Sequence, residues 1–194
     1  MEALLAGGKS RAATLAWFVG SIWLVSWAHF LLPLHLAWLG VHPRTLSGLV
    51  GIVSAPWLHA SLAHLISNTF PLLVLGWLTM YPKKTDFAPA VVGSMLGAGL
   101  LAWVIGGTGT VHIGASGVVF GLGGFVVARG YFARRFTELL SALPATGLYG
   151  MSMLFGVLPI YPGVSWQSHL GGIIGGILTA KLMYSSNIRT NDVN

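Results

Sequence analysis

Long apolar stretches separated by short polar turns organise this chain. No charged residue lies between Arg11 and Arg44, Arg44 and Lys83, Asp86 and Arg129, or Glu138 and Lys181, and these gaps hold 32, 38, 42 and 42 residues. A helix needs about 20 apolar residues to cross a bilayer. Each of the last two gaps therefore predicts two spans joined by an uncharged turn. The first two gaps together predict a third pair, with Arg44 in its connection. The six predicted spans are 12–32, 62–80, 88–105, 116–133, 141–160 and 164–184. Residues 33–60 are apolar but interrupted by Pro33, Gly40, Pro43, Gly48, Gly51 and Pro56. That pattern predicts an outer interfacial loop of short amphipathic pieces, with Trp38 and Trp57 at headgroup level. The chain, 1–194, reads as one six-span membrane domain without internal repeats, and 185–194 as a short cytoplasmic tail.

Composition narrows the class. Of 194 residues, 55% are hydrophobic and 7% charged, against roughly 25% charged in soluble domains. Mean hydropathy is +0.78. An ordinary soluble enzyme, a disordered protein and a nucleic-acid module are excluded. With no cysteine there is no disulfide framework, Fe–S site or thiol nucleophile. The basic balance comes from residues at helix ends. Lys9, Arg11, Lys83, Lys84, Arg129, Arg134, Arg135, Lys181 and Arg189 fall on one predicted side and only Arg44 on the other. The positive-inside bias then predicts that both termini are cytoplasmic. The first apolar stretch is longer than a signal h-region and lacks a small-x-small cleavage site before Pro33, so it reads as a retained helix. The fold class is an all-α polytopic membrane protein in a lipid bilayer.

Glycine, at 27 residues, concentrates in the third, fourth and sixth spans. Gly93/Gly97, Gly117/Gly121, Gly171/Gly175 and Gly172/Gly176 are spaced for close backbone approach in lipid. By itself this spacing reads as generic helix packing.

Acids decide by their scarcity. Glu2, Asp86, Glu138 and Asp192 are the only four, and all fall at predicted cytoplasmic helix ends or beyond. Paired catalytic carboxylates, an H-E-x-x-H zinc site, a carboxylate-based proton carrier and a Ser-His-Asp triad within the spans are ruled out. Serine and histidine remain. Ser116 opens the fourth span within Gly114-Ala115-Ser116-Gly117, where helix N–H groups can stabilise an oxyanion; it also reads as an N-cap serine. His169 lies near the outer end of the sixth span, and a histidine inside a bilayer points to function. Gly172 and Gly176 follow it by one and two turns, as Gly117 and Gly121 follow Ser116. Two helices with small faces at one depth bring Ser116 and His169 within reach as nucleophile and base, with Phe120 placed to stack on the imidazole. His64 and Asn68 share one face of the second span and can donate to a developing oxyanion, or serve as interhelical polar packing. His59 reads as an interfacial residue or a support for the His64 loop, and His29, His35, His42 and His112 as interfacial or loop residues. A metal site from His59, His64 and His169 is disfavoured, because i,i+5 spacing separates the first two on a helix and no carboxylate assists.

His64-xxx-Asn68, Gly114-x-Ser116-Gly117 and His169-xx-Gly172-xxx-Gly176, in this order and at one depth, resemble the rhomboid intramembrane serine proteases. The six-span layout, long first outer loop and N-in orientation extend the resemblance over nearly the whole chain. It implies a Ser116–His169 dyad, with an oxyanion hole from His64, Asn68 and the Ser116 N–H, and Gly114, Gly117, Phe120, Gly172 and Gly176 in support. It also implies cleavage of transmembrane segments of other proteins near the outer membrane face, no cofactor or metal, and a lateral gate at span five and outer span two. A bacterial plasma membrane with the site facing the extracytoplasmic side is the implied location. Departures are Pro43-Arg44 in place of a Trp-Arg pair, Phe120 where tyrosine is frequent, and Ser168 where alanine is frequent. Two other functions stay open on the residues alone. One is a small transporter or channel lined by His64, Asn68 and His169, although the residues below them turn apolar. The other is a scaffold that binds transmembrane helices without cutting them.

Overall fold

A computed structural model describes residues 2–32 and 36–185. Seven α-helices are formed by these residues: α1 Glu2–Leu31, α2 Gly51–Ser54, α3 Leu62–Thr79, α4 Phe87–Ile105, α5 Ser116–Ala133, α6 Phe136–Gly156 and α7 Trp166–Tyr184. Five of them, α1, α3, α4, α5 and α6, are long and apolar enough to cross a membrane. The sixth predicted span, α7, has comparable length (19 residues). Gln167, Ser168, His169, Lys181 and its glycines lower its hydropathy. The architecture is a polytopic membrane bundle.

The centre is α5. Along it 67% of the residues in the span are buried inside the protein, against 22% in α1 and in α6. Glycine makes that density possible. A β-carbon on Gly172 or Gly176 would strike the carbonyl oxygens of Gly117 and Gly121 on α5. The other face of α7 does the same to α4, where Gly171 and Gly175 meet the carbonyls of Gly97 and Gly93. The four small-residue pairs of the sequence are thus two seams along one helix. One face of α7 lies against α5 and the adjacent face against α4.

Expected boundaries hold for 116–133 and shift elsewhere. The fifth span was expected at 141–160 and begins instead at Phe136, ending at Gly156. Its start was displaced by the charge of Glu138, which is buried and paired with Arg129 at 2.9 Å, so the charge does not mark a helix end. The last span begins at Trp166, with Ser165 as N-cap accepting from the Ser168 N–H. In the first loop, 36–39, 47–49 and 55–57 form single 3₁₀ turns around α2. Trp38 is exposed. Trp57, expected at headgroup level, packs on Phe18 and donates its indole N–H to Ser21 Oγ, because the loop folds back onto α1. Residues 186–194 of the expected tail, with Arg189 and Asp192, and His35 lie outside the described residues.

Arg129 is a second departure. It is expected among the basic residues at helix ends, yet it is fully buried. Its guanidinium donates to the carbonyls of Leu78, Thr79 and Tyr81, to Ser141 Oγ and to Asp86, and pairs with Glu138. Tyr184 donates to the same Asp86 carboxylate. One cation thereby ties α3, α5, α6, α7 and the α3–α4 link at the basic end of the bundle. The opposite end carries Ser116.

Candidate active site

Ser116 is the first residue of α5 and His169 lies one turn into α7, so the α5–α7 seam sets their separation. The Ser116 hydroxyl donates to His169 Nε2 at 2.8 Å. The cap residue of α5 is Ala115, with no side-chain cap bond, so Ser116 is engaged by the histidine rather than acting as an N-cap. His169 Nδ1 donates to the Gly156 carbonyl at 2.8 Å. That carbonyl is in the last turn of α6, where carbonyls lack intrahelical donors. Because a carbonyl only accepts, the Nδ1 proton is fixed there and Nε2 is left as the acceptor for Ser116. Phe120 stacks on the imidazole at 3.9 Å between centroids and 13° between planes. A β-carbon on Gly156 would meet both the Phe120 ring and His169 Nδ1. A side chain at that position would therefore press on both rings unless α6 moved.

The expected oxyanion residues line the same space. A cleft of about 730 Å³ is bordered by His64, Asn68, Ser116, Phe120 and His169, together with Ser67 and Trp166. Gly114, at φ +116°, holds the turn before α5 in a conformation that favours glycine, and the His64 ring fills the place its side chain would take. Gly117 abuts Ala98 and the Ser168 carbonyl. Gly172 and Gly176 stand outside the cleft, in the seam.

His59 supports the His64 region and is not interfacial. It is fully buried. Asn68 Nδ2 donates to His59 Nε2 at 3.1 Å, and the Ala115 N–H approaches the same nitrogen at 3.4 Å. Nδ1 then carries the proton and donates to Ser26 Oγ at 3.1 Å, which donates to the Trp57 carbonyl. Burial, reinforced by the charge of His64, lowers the His59 pKa to about 4. The expectation that His59 and His64 point apart is corrected. Their rings meet edge to face at 4.9 Å, because His59 precedes Ser61, the N-cap of α3, and helical spacing does not apply across the turn.

His112 lies in the loop between α4 and α5, as expected, and also forms a wall of the cleft. Its backbone pairs with Val41, and its Nδ1 shares a 2.6 Å hydrogen bond with Ser165 Oγ, the cap of α7. Burial, and secondarily the charge of His42, lowers its pKa. Arg44, in the first loop, donates to the carbonyls of Val104 and Gly106 and to Thr108 Oγ1. It closes the C-terminal end of α4 against that loop. His29 lies in the last turn of α1, away from this cleft.

The structure brings Ser116, His169, His64, Asn68 and Phe120 together around one cleft, and adds to them the Gly156 carbonyl, His112 and His59, to which the sequence did not point in these places.

Residues 47–186 match the Rhomboid domain. The chain is 37% identical over 178 residues to the uncharacterized protein Rv1337 of Mycobacterium tuberculosis, covering 88% of this chain and 74% of that protein. It is 37% identical over 148 residues to the uncharacterized protein ML1171 of Mycobacterium leprae, covering 72% of this chain and 58% of that protein. Over 177 residues it is 27% identical to the "Putative rhomboid protease YdcA" of Bacillus subtilis, covering 85% and 86% respectively. The chain belongs to the rhomboid family of multi-pass intramembrane proteases.

Proposed function

We propose that this protein is a serine endopeptidase that cuts transmembrane segments of other membrane proteins through a Ser116–His169 dyad. The observation that carries the reading is the chain of contacts from Ser116 Oγ to His169 Nε2 and from Nδ1 to the Gly156 carbonyl. His169 accepts the Ser116 proton as Oγ attacks the scissile carbonyl carbon. The Gly156 carbonyl, facing Nδ1–H, stabilises the imidazolium that forms. The backbone oxygen acts where a triad would place a carboxylate.

The oxyanion of the tetrahedral intermediate is held by the Ser116 N–H with Asn68 and His64. As the C–N bond breaks, His169 gives its proton to the leaving amine, and an acyl ester remains on Ser116. Water from the cleft then attacks the ester with His169 as base. The new carboxylic acid departs, and the proton returns to Ser116.

Both termini are assigned to the cytoplasmic side of a bacterial plasma membrane, since the basic residues gather at one end. The cleft then opens on the extracytoplasmic side, and substrates enter past α6. Six spans complete the topology, with α7 shielded by α4 and α5.

The test is cleavage of a transmembrane substrate by purified protein. Ser116→Ala and His169→Ala are each expected to lower turnover by about four orders of magnitude with the fold retained, since members of a catalytic unit fail together. Substantial cleavage by Ser116→Ala overturns the dyad. Folded wild-type protein that captures transmembrane helices without cutting them supports a binding scaffold instead.

A further inference from the structure

The buried stripe of α1 runs Leu15, Val19, Ile22, Ser26, a spacing that keeps all four on one helix face. The first three are apolar. Ser26 is fully buried as well, and a buried hydroxyl needs hydrogen-bond partners. It finds them in the first loop: Ser26 Oγ lies 3.2 Å from the Trp57 carbonyl oxygen and 3.1 Å from His59 Nδ1. A carbonyl can only accept, so the hydroxyl proton points to Trp57, and toward His59 the oxygen is an acceptor. His59 Nδ1 must then carry the imidazole proton, which leaves Nε2 with a lone pair. That lone pair faces two donors, Asn68 Nδ2 at 3.1 Å and the Ala115 N–H at 3.4 Å. Both border the reacting atoms: Asn68 lines the cleft, and Ala115 immediately precedes Ser116. Among the described residues, Ser26 is the one hydrogen-bond partner of His59 Nδ1.

We propose that Ser26 is a positioning residue for the oxyanion hole, acting through the His59 tautomer on the Asn68 amide. The proposal rests on the reading of Asn68 as an oxyanion donor. With His59 Nε2 as acceptor, the Asn68 amide turns its NH2 group toward the imidazole. One N–H is held there and the other remains for the substrate. The opposite tautomer would set Nε2–H against both the Asn68 and the Ala115 donors. The Asn68 amide would then have to turn over to offer its oxygen, and the Ala115 N–H would lose its acceptor. The Ser26 hydroxyl excludes that arrangement by accepting at Nδ1. In this way α1, the least catalytic of the long helices by position, reaches the oxyanion site through a single intervening side chain.

The test is fluorophosphonate labelling of the purified full chain in detergent. In that reaction the Ser116 Oγ–P bond forms as P–F breaks, His169 takes the proton, fluoride leaves, and the phosphoryl oxygen occupies the oxyanion position. The limiting rate and the half-saturating probe concentration are measured separately, below the melting midpoint of each variant. Ser26→Ala is expected to lower the limiting rate about ten-fold, part of the roughly 10²–10³-fold carried by a whole oxyanion donor, with half-saturation unchanged. Ser26→Thr keeps a hydroxyl and is expected to recover most of the rate. In the Asn68→Ala background, Ser26→Ala is expected to add little, because residues acting through one another are not additive. A wild-type limiting rate in Ser26→Ala, equal losses in the alanine and threonine variants, or an undiminished further loss on top of Asn68→Ala would each overturn the proposal. A wild-type rate in Asn68→Ala would overturn the oxyanion assignment together with it. Failure of the dyad reading shows differently, as labelling at another residue that persists in Ser116→Ala.

Discussion

Two helices meet at His169 and are held in opposite ways. α7 carries the histidine and is pressed backbone to backbone on α5 and α4, through Gly172, Gly176, Gly171 and Gly175. α6 supplies the carbonyl that orients the imidazole, yet its buried residues, Glu138, Ser141, Ala142 and Ala145, all lie in its first half. Beyond them Leu148, Met151, Leu154 and Phe155 face outward. Arg129 fastens the base of α6 through Glu138 and Ser141. The depth of the Ser116–His169 pair is therefore set by a seam that tolerates no β-carbon. The orientation of the base rests on a helix tethered at its far end. An outward movement of α6 would then leave the Ser116–His169 pair together.

The comparison breaks first at the seam. Gly172→Val places a branched side chain against the Gly117 carbonyl, and overpacking of this kind costs roughly 1–3 kcal/mol. A misplacement of about 1 Å costs around 10²-fold in rate. Cleavage is expected to fall by at least about 10²-fold, while Ile177→Val, at a side chain 37% exposed, keeps wild-type rates. Equal activity of the two variants in one membrane preparation would mean that the seam does not set the geometry.

After the loss of rate at the seam comes a loss of stability at the tether. Glu138→Gln removes one partner of a buried ion pair, an alteration that typically costs about 3–5 kcal/mol. Thermal melting in detergent should show the loss. Below the lowered midpoint, cleavage should persist, because Asp86 and the carbonyl acceptors still hold Arg129. Unaltered melting would deny Arg129–Glu138 its role at the base of α6.

Gly156→Ala sharpens the other half of the comparison. The added methyl meets Phe120 and His169 Nδ1, but α6 has room to shift outward. A roughly ten-fold fall in turnover with little change in melting is expected, about one decade less than for Gly172→Val. A loss as large as that of Gly172→Val would make the outer half of α6 as constrained as the seam.

The smallest effect is a pH dependence from His59. Its folded pKa, about 4, lies below the ordinary value of about 6.5, so the unfolded chain binds more protons between them. Stability linked to this group is fully present above pH 6.5 and is lost as pH falls toward 4. Protonation would also set Nε2–H against the donating Asn68 amide. Melting midpoints should drop across that interval, and less so in His59→Gln. A midpoint that rises on acidification would contradict the assignment.

How much of this was legible in the sequence follows from what kind of atom does each task. The seams were readable because Gly-xxx-Gly is local and periodic, and Ser116, His169, His64 and Asn68 stood out as polar side chains in apolar spans. Gly156 acts through its carbonyl, which every residue possesses, so no side-chain pattern announces it. Arg129 and Glu138 were misread because charge along a chain looks alike whether solvated at a helix end or paired inside. That same misreading moved the start of α6 by a turn and more. His59 and His64 were set apart by a helical rule applied across a turn that is not helical.

Covalent labelling with a fluorophosphonate, mapped by peptide mass, tests the central claim most directly. A single adduct on Ser116 is expected in wild-type protein, absent in Ser116→Ala and strongly slowed in His169→Ala. Labelling at another residue, or labelling of Ser116 at the same rate without His169, would contradict a nucleophile activated across the α5–α7 seam.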